Sequence, residues 1–156
     1  MTGKLALIGY RGLKVPQFYH LLQEEGIDVL LDVRRNPYSP NPSFRRDSLL
    51  RSSEEFGVRY HHLPELGAPG AGHSTIPIGA PTTMSEQLAT PQALHSLRRI
   101  LKSLQKGTSL ALMCAEADYH ECHREAIVKL LSGALPIETV ELTGKPSRTL
   151  FDLIPA

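Results

Sequence analysis

KLALIGYRGLKVPQFYHLLQEEGIDVLLDV, residues 4 to 33, carries a strand, a turn, a helix and a second strand in thirty residues. Lys4 to Ile8 is a short, nearly continuous apolar run of the kind buried on both faces of a sheet, and Gly9-Tyr10-Arg11-Gly12 closes it with a turn. Val15, Phe18, Leu21 and Leu22 then recur at helical spacing, with Pro16 suited to a first turn and Gly26 placed as a helix stop. Asp28 to Val33 is the second strand, apolar after Asp28 except for Asp32, an isolated carboxylate that needs a structural or chemical reason. A strand, a helix and a strand in this order define a parallel pair joined by a crossover.

The same alternation continues. Asn36-Pro37 and Asn41-Pro42 mark an irregular segment, Asp47 to Phe56 reads as a helix ended by Gly57, and Val58 to Leu63 reads as a third strand. From Pro64 to Thr90 there are four prolines and four glycines in 27 residues and no period, so a long loop is expected, with a lid as its functional reading. Thr90-Pro91 starts a helix whose stripe is Leu94, Leu97, Ile100, Leu101 and Leu104, and Gly107 stops it. Ser109 to Met113 is a fourth strand, a helix after Cys122 buries Ala126, Ile127, Leu130 and Leu131, and Ile137 to Leu142 is a fifth strand. The expectation is a single α/β domain over residues 1–156, a three-layer sandwich around a mostly parallel sheet of about five strands.

Composition excludes several classes. A chain of 156 residues suffices for one core, and a formal net charge of +1 with 21% charged residues imposes no acidic or basic partner through total charge. The arginines are locally uneven: Arg34, Arg35, Arg45, Arg46 and Arg51 fall within eighteen residues that hold one acid, Asp47. Such a patch reads either as a solvated face or as a track for nucleic-acid phosphates. With 6% aromatic residues and no tryptophan, a large base-stacking platform is not expected. Two cysteines and no signal-like apolar run point to the cytoplasm, and no apolar run approaches the roughly 20 residues of a membrane-spanning helix.

In a parallel sheet the polar residues of this chain gather at the carboxyl ends of the strands: Tyr10 and Arg11, Asp32 and Arg34, His61 or His62 with Glu65, then Cys114 and Glu116. His61 and His62 point to opposite faces of one strand, so at most one reaches the cleft, and His62 is taken as the candidate. The densest stretch is Cys114 to Arg124, with thiols, carboxylates, imidazoles and a guanidinium in eleven residues. A tyrosine-phosphatase loop would need five residues between cysteine and arginine, whereas Cys114 meets His120 at that place and Cys122 stands two before Arg124. Cys114 therefore reads as a small buried residue at a strand end. Cys114, Glu116, His120, Cys122 and His123 match no structural zinc spacing, and no metal site or particular cofactor is expected from them.

Glu116 and Asp32 are the candidate catalytic carboxylates, one as base or nucleophile and the other as its partner. Tyr10, Arg11, Arg34, His62, Cys114, His123 and Arg124 are the candidate substrate-binding residues, with Arg34 and Arg124 as forks for phosphate or carboxylate. An internal ion pair of Asp32 with Arg34 or Arg124 is the structural alternative. The expected partner is an anionic small molecule or nucleic acid and not a membrane.

Ile8-Gly9-Tyr10, Asp32-Val33-Arg34 with Asn36-Pro37, Tyr60 with Leu63-Pro64-Glu65-Leu66-Gly67, and Cys114-Ala115-Glu116 with Cys122-His123-Arg124 occur in that order. Together they resemble the prokaryotic family catalogued as domain of unknown function 488, up to about Leu131. The resemblance implies a compact cytosolic α/β domain with these polar residues at the strand ends, and it implies no particular reaction. Members often carry a second glycine where this chain has Ala68.

Overall fold

A computed structural model describes residues 2–69, 78–115 and 123–143. Its strands are β1 (Leu5–Gly9), β2 (Val29–Asp32), β3 (Arg59–His62), β4 (Leu110–Cys114) and β5 (Thr139–Leu142). Its helices are α1 (Val15–Glu24), α2 (Arg46–Glu55), α3 (Met84–Leu88), α4 (Pro91–Gln105) and α5 (Arg124–Ala134). All strand pairs are parallel, in the order β3-β2-β4-β1-β5, which is the α/β architecture expected from the alternation.

Strand alternation divides the core in two. Leu5, Leu7, Val29, Leu31, Leu110 and Leu112 pack with residues of α3, α4 and α5, whereas Ala6, Ile8, Leu30, Ala111 and Met113 pack with α1 and α2. On the second face Ala6 and Ala111 are register partners, and their small side chains leave depth for an aromatic layer. Phe18 meets Tyr19 at 5.2 Å and Phe44 at 5.4 Å edge-on, and Tyr10 stacks on Phe44 at 4.7 Å. Small residues on the sheet thus face large ones on the helices, which fills the space at interior density.

The predicted punctuation holds. Gly26, Gly57 and Gly107 follow α1, α2 and α4 with φ of 69°, 77° and 91°, the left-handed region where a Cβ is penalised. Thr90 caps α4 by accepting from the Ala93 amide at 3.3 Å.

Three expectations need correction. Leu94 is exposed and Leu101 half-buried, so the stripe of α4 narrows to Ala93, Leu97, Ile100 and Leu104. Leu130 on α5 is 50% exposed, because Ile127 and Leu131 form the seam and a residue one step before Leu131 lies about 100° around the helix. The loop after Pro64 contains α3, five residues and too short to show a period. Its signature was present as Thr83 with Glu86 three residues on: the Glu86 amide donates to Thr83 Oγ1 at 3.1 Å, and Glu86 Oε2 accepts from the Thr82 amide at 3.0 Å. The lid reading falls partly on residues 70–77, outside the described residues.

Candidate functional site at the carboxyl edge

Asp32 ends β2 with no exposed surface. Its Oδ1 accepts from Arg34 Nε at 2.8 Å and from the Arg34 amide at 3.1 Å. Its Oδ2 accepts from Arg34 Nη2 at 2.7 Å and from the Tyr60 hydroxyl at 2.5 Å. Four donors thereby fill the acceptor positions of one carboxylate. The pairing is bidentate because Asp32 and Arg34 lie two apart and the guanidinium folds back along the strand.

Arg34 is equally committed. Its Nη1 donates to the Tyr10 hydroxyl at 3.3 Å and the Tyr38 carbonyl at 3.4 Å, and the guanidinium carbon lies 5.2 Å from the Tyr10 ring centroid. Burial opposes the charge on Arg34, but the hydrogen bonds and charge of Asp32 outweigh it and hold the guanidinium protonated beyond its ordinary range.

The two candidate histidines grip the same loop. His62 Nε2 donates to the Arg34 carbonyl at 2.6 Å, and His123 Nε2 donates to the Val33 carbonyl at 2.8 Å. Imidazoles from the end of β3 and the N-cap of α5 therefore pin consecutive carbonyls just beyond β2. Arg35 continues the clamp, its Nε on the Ala68 carbonyl at 2.9 Å and its Nη2 on the Gly67 carbonyl at 3.2 Å. A Cβ on Gly67 would stand 2.4 Å from the Arg35 backbone nitrogen. Gly67→Ala is expected to destabilise by about 1–3 kcal/mol in urea unfolding, since backbone must move to admit the methyl.

Burial first, then the charge of Asp32 and the hydrogen bond to it, push the Tyr60 phenol well above its ordinary range, and burial raises Tyr19 too. In the unfolded chain both phenols ionise near pH 10, while in the folded protein they keep their protons. Above that pH the unfolded state therefore binds fewer protons and folding stability falls. For Tyr60 the expected loss approaches about 1.4 kcal/mol per pH unit above pH 10 and vanishes well below it, with Tyr19 adding in the same direction. Urea titrations between about pH 8 and 11 read this slope, and Tyr60→Phe should remove one tyrosine's share of it.

On the β1 side, Tyr10 and Arg11 extend the sheet: their amides donate to the Cys114 and Ala115 carbonyls at 3.2 and 3.0 Å. Tyr10 is buried and Arg11 exposed. Cys114 is buried at the end of β4, and Arg124 opens α5 with no exposed surface. Asp32 is in register with Met113, so alternation puts it on the α1 and α2 face and Cys114 on the opposite face. The structure thus gathers Tyr10, Asp32, Arg34 and Tyr60 into one network, to which His62 and His123 are joined through backbone carbonyls. It places Cys114 across the sheet. Glu116 lies outside the described residues.

Tyr38 and Tyr60 were not read as partners of this network. The alternation Tyr60-His61-His62 next to a lone strand carboxylate was the available signal for Tyr60, whereas Tyr38 contributes a carbonyl and left none. The basic patch is also redistributed: Arg34 and Arg35 are bound as described, and Arg45 donates to the Ser39 carbonyl at 3.0 Å and stacks on Tyr38 at 4.6 Å. Arg46 and Arg51 remain as exposed cations.

The fold and this edge define a parallel α/β domain whose strand-end polar residues lock the β2 to α2 connection onto its neighbours. Residues 14–131 match the family described as Domain of unknown function DUF488, and the chain belongs to that family. No curated protein matches it. Among the described residues no helix is long and apolar enough to cross a membrane.

Proposed function

We propose that the protein is an enzyme, a hydrolase or transferase, acting on a nucleotide or other phosphorylated ligand held over the carboxyl edge between the loops that leave β1 and β4. The observation that carries this reading is the strand order. From β1 the chain crosses to β2 on one side, and from β4 it crosses to β5 on the other, so the two loops part above adjacent strands. Such a switch point is where open parallel sheets bind ligands. Arg11 stands exposed on the β1 side, and the positive, N-terminal end of α5 opens on the β4 side.

In this reading Glu116, two residues beyond Cys114, is the general base that takes the proton of the attacking water or hydroxyl. Arg11 faces the anion, and Arg124, buried at the first turn of α5, adds its charge from beneath. Asp32, with its acceptor positions filled, is a positioning residue that fixes Arg34 and Tyr60. A thermal-shift screen of nucleotides and sugar phosphates tests the reading, because a ligand at about 100 times its Kd stabilises by about 2.7 kcal/mol. A phosphorylated ligand should raise Tm, and Arg11→Ala should reduce that rise without changing the Tm of the free protein. No shift with any phosphorylated compound, or an undiminished shift in Arg11→Ala, overturns it.

A further inference from the structure

Away from the carboxyl edge, a cavity of about 230 Å³ opens between α4 and the edge strand β3. Tyr60 turns into the α2 side of β3, so Arg59 and His61 are left on the other face, where α4 stands over β2 and β3 forms an open wall. Its floor is apolar, from Val29, Leu31 and Ile100, and its rim holds Arg59, Arg99 and Lys106. Among the described residues no carboxylate lines it, and none of these three cations forms an ion pair. The neighbouring Glu65 is taken by the Ser96 hydroxyl, and Asp28 by the Ser109 amide at 2.9 Å.

The cations also continue beyond the cavity. From Pro91 to Gln105, α4 contains no acid, and Arg99, Lys102 and Lys106 follow at steps of three and four, with the imidazole of His95 four residues before Arg99, one stripe along the exposed side of the helix. At 1.5 Å per residue the stripe is about 16 Å long, too long for one small anion and suited to successive phosphates of a strand. Arg34, Arg35 and Arg45 are spent on the protein's own acceptors, whereas these cations meet no carboxylate among the described residues.

We propose that the groove between α4 and β3 binds the phosphodiester backbone of nucleic acid, without base readout. The stripe follows consecutive phosphates, and Arg59, Arg99 and Lys106 close around one of them at the cavity. This interface is independent of Glu116 and of the ligand at the carboxyl edge.

Fluorescence anisotropy with a labelled duplex of about 20 base pairs, and with its single strand, measures binding between about 50 and 200 mM salt. The native protein should bind at least one of the two probes and weaken steeply with salt. The variant Arg59→Glu/Arg99→Glu/Lys106→Glu, checked for an unchanged melting temperature, should bind at least tenfold more weakly and lose about two to three units of log-log salt slope. Should that variant melt early, Arg99→Gln/Lys106→Gln replaces it, with a proportionately smaller loss. Arg46→Glu/Arg51→Glu on α2 should leave affinity unchanged. Absence of binding to both probes, groove variants that bind like the native protein, loss confined to the α2 variant, or binding of a mononucleotide alone would each overturn the proposal.

Discussion

Asp32→Ala should lower the unfolding free energy by about 3–5 kcal/mol, the range found when one member of a buried ion pair is removed. The loss comes less from attraction than from what remains behind. Arg34, only 6% exposed, would keep its charge with no counter-ion, and the Tyr60 hydroxyl would lose its acceptor. Asp32→Asn separates the two effects, since it preserves shape and one acceptor but removes the charge, and most of the penalty should persist. The double variant Asp32→Leu/Arg34→Met should be less damaged than either charge deletion alone, because an apolar pair leaves nothing buried and unmatched. Urea denaturation of the native protein, Asp32→Leu, Arg34→Met and the double variant supplies the cycle. A loss below about 1 kcal/mol for Asp32→Ala would mean that water reaches the pair.

Glu116→Gln should reduce turnover by about 10²–10⁴-fold, the usual worth of a positioned general base, while ligand affinity changes little. Glutamine keeps the length and hydrogen-bonding reach of the side chain and removes only its basicity. The pairing of outcomes matters: lost turnover with retained binding assigns the proton transfer to Glu116, whereas full activity removes it from the mechanism. Arg11→Lys offers the complementary readout. A point charge replacing a fork should weaken binding of a phosphorylated ligand, with Glu116 in place and the proton transfer intact.

The fold was legible because its signals are local. The apolar runs Leu5 to Ile8, Val29 to Leu31 and Leu110 to Met113 are too short for helices and too continuous for exposed strands, and their crossovers follow from parallel pairing. The order β3-β2-β4-β1-β5 was not legible, since equally apolar strands fit beside one another in several sequences of neighbours. At the site, Asp32 and Arg34 were visible as an anomaly in a buried strand and as same-face neighbours. Their saturation by Tyr60 and Tyr10 depends on residues 28 and 24 positions away, which only the register brings together. The histidines show the same limit. His62 and His123 stand at the edge as expected, yet they hold the Val33 and Arg34 carbonyls, and a sequence carries no mark for a backbone acceptor.

The central position of β4 has a consequence for how the chain acquires its structure. β1 and β2 are made early but never touch, and each waits for the strand at residues 110–114 to fill the gap between them. Until then both present an unpaired edge on the inner side, and the β1 to β4 contact closes a loop of about a hundred residues. During synthesis the first half of the molecule is therefore the β2–β3 pair and a lone β1 strand awaiting a keystone, the stage most open to pairing with another chain. Folding should be slow for the molecule's size, and set by the arrival of that strand.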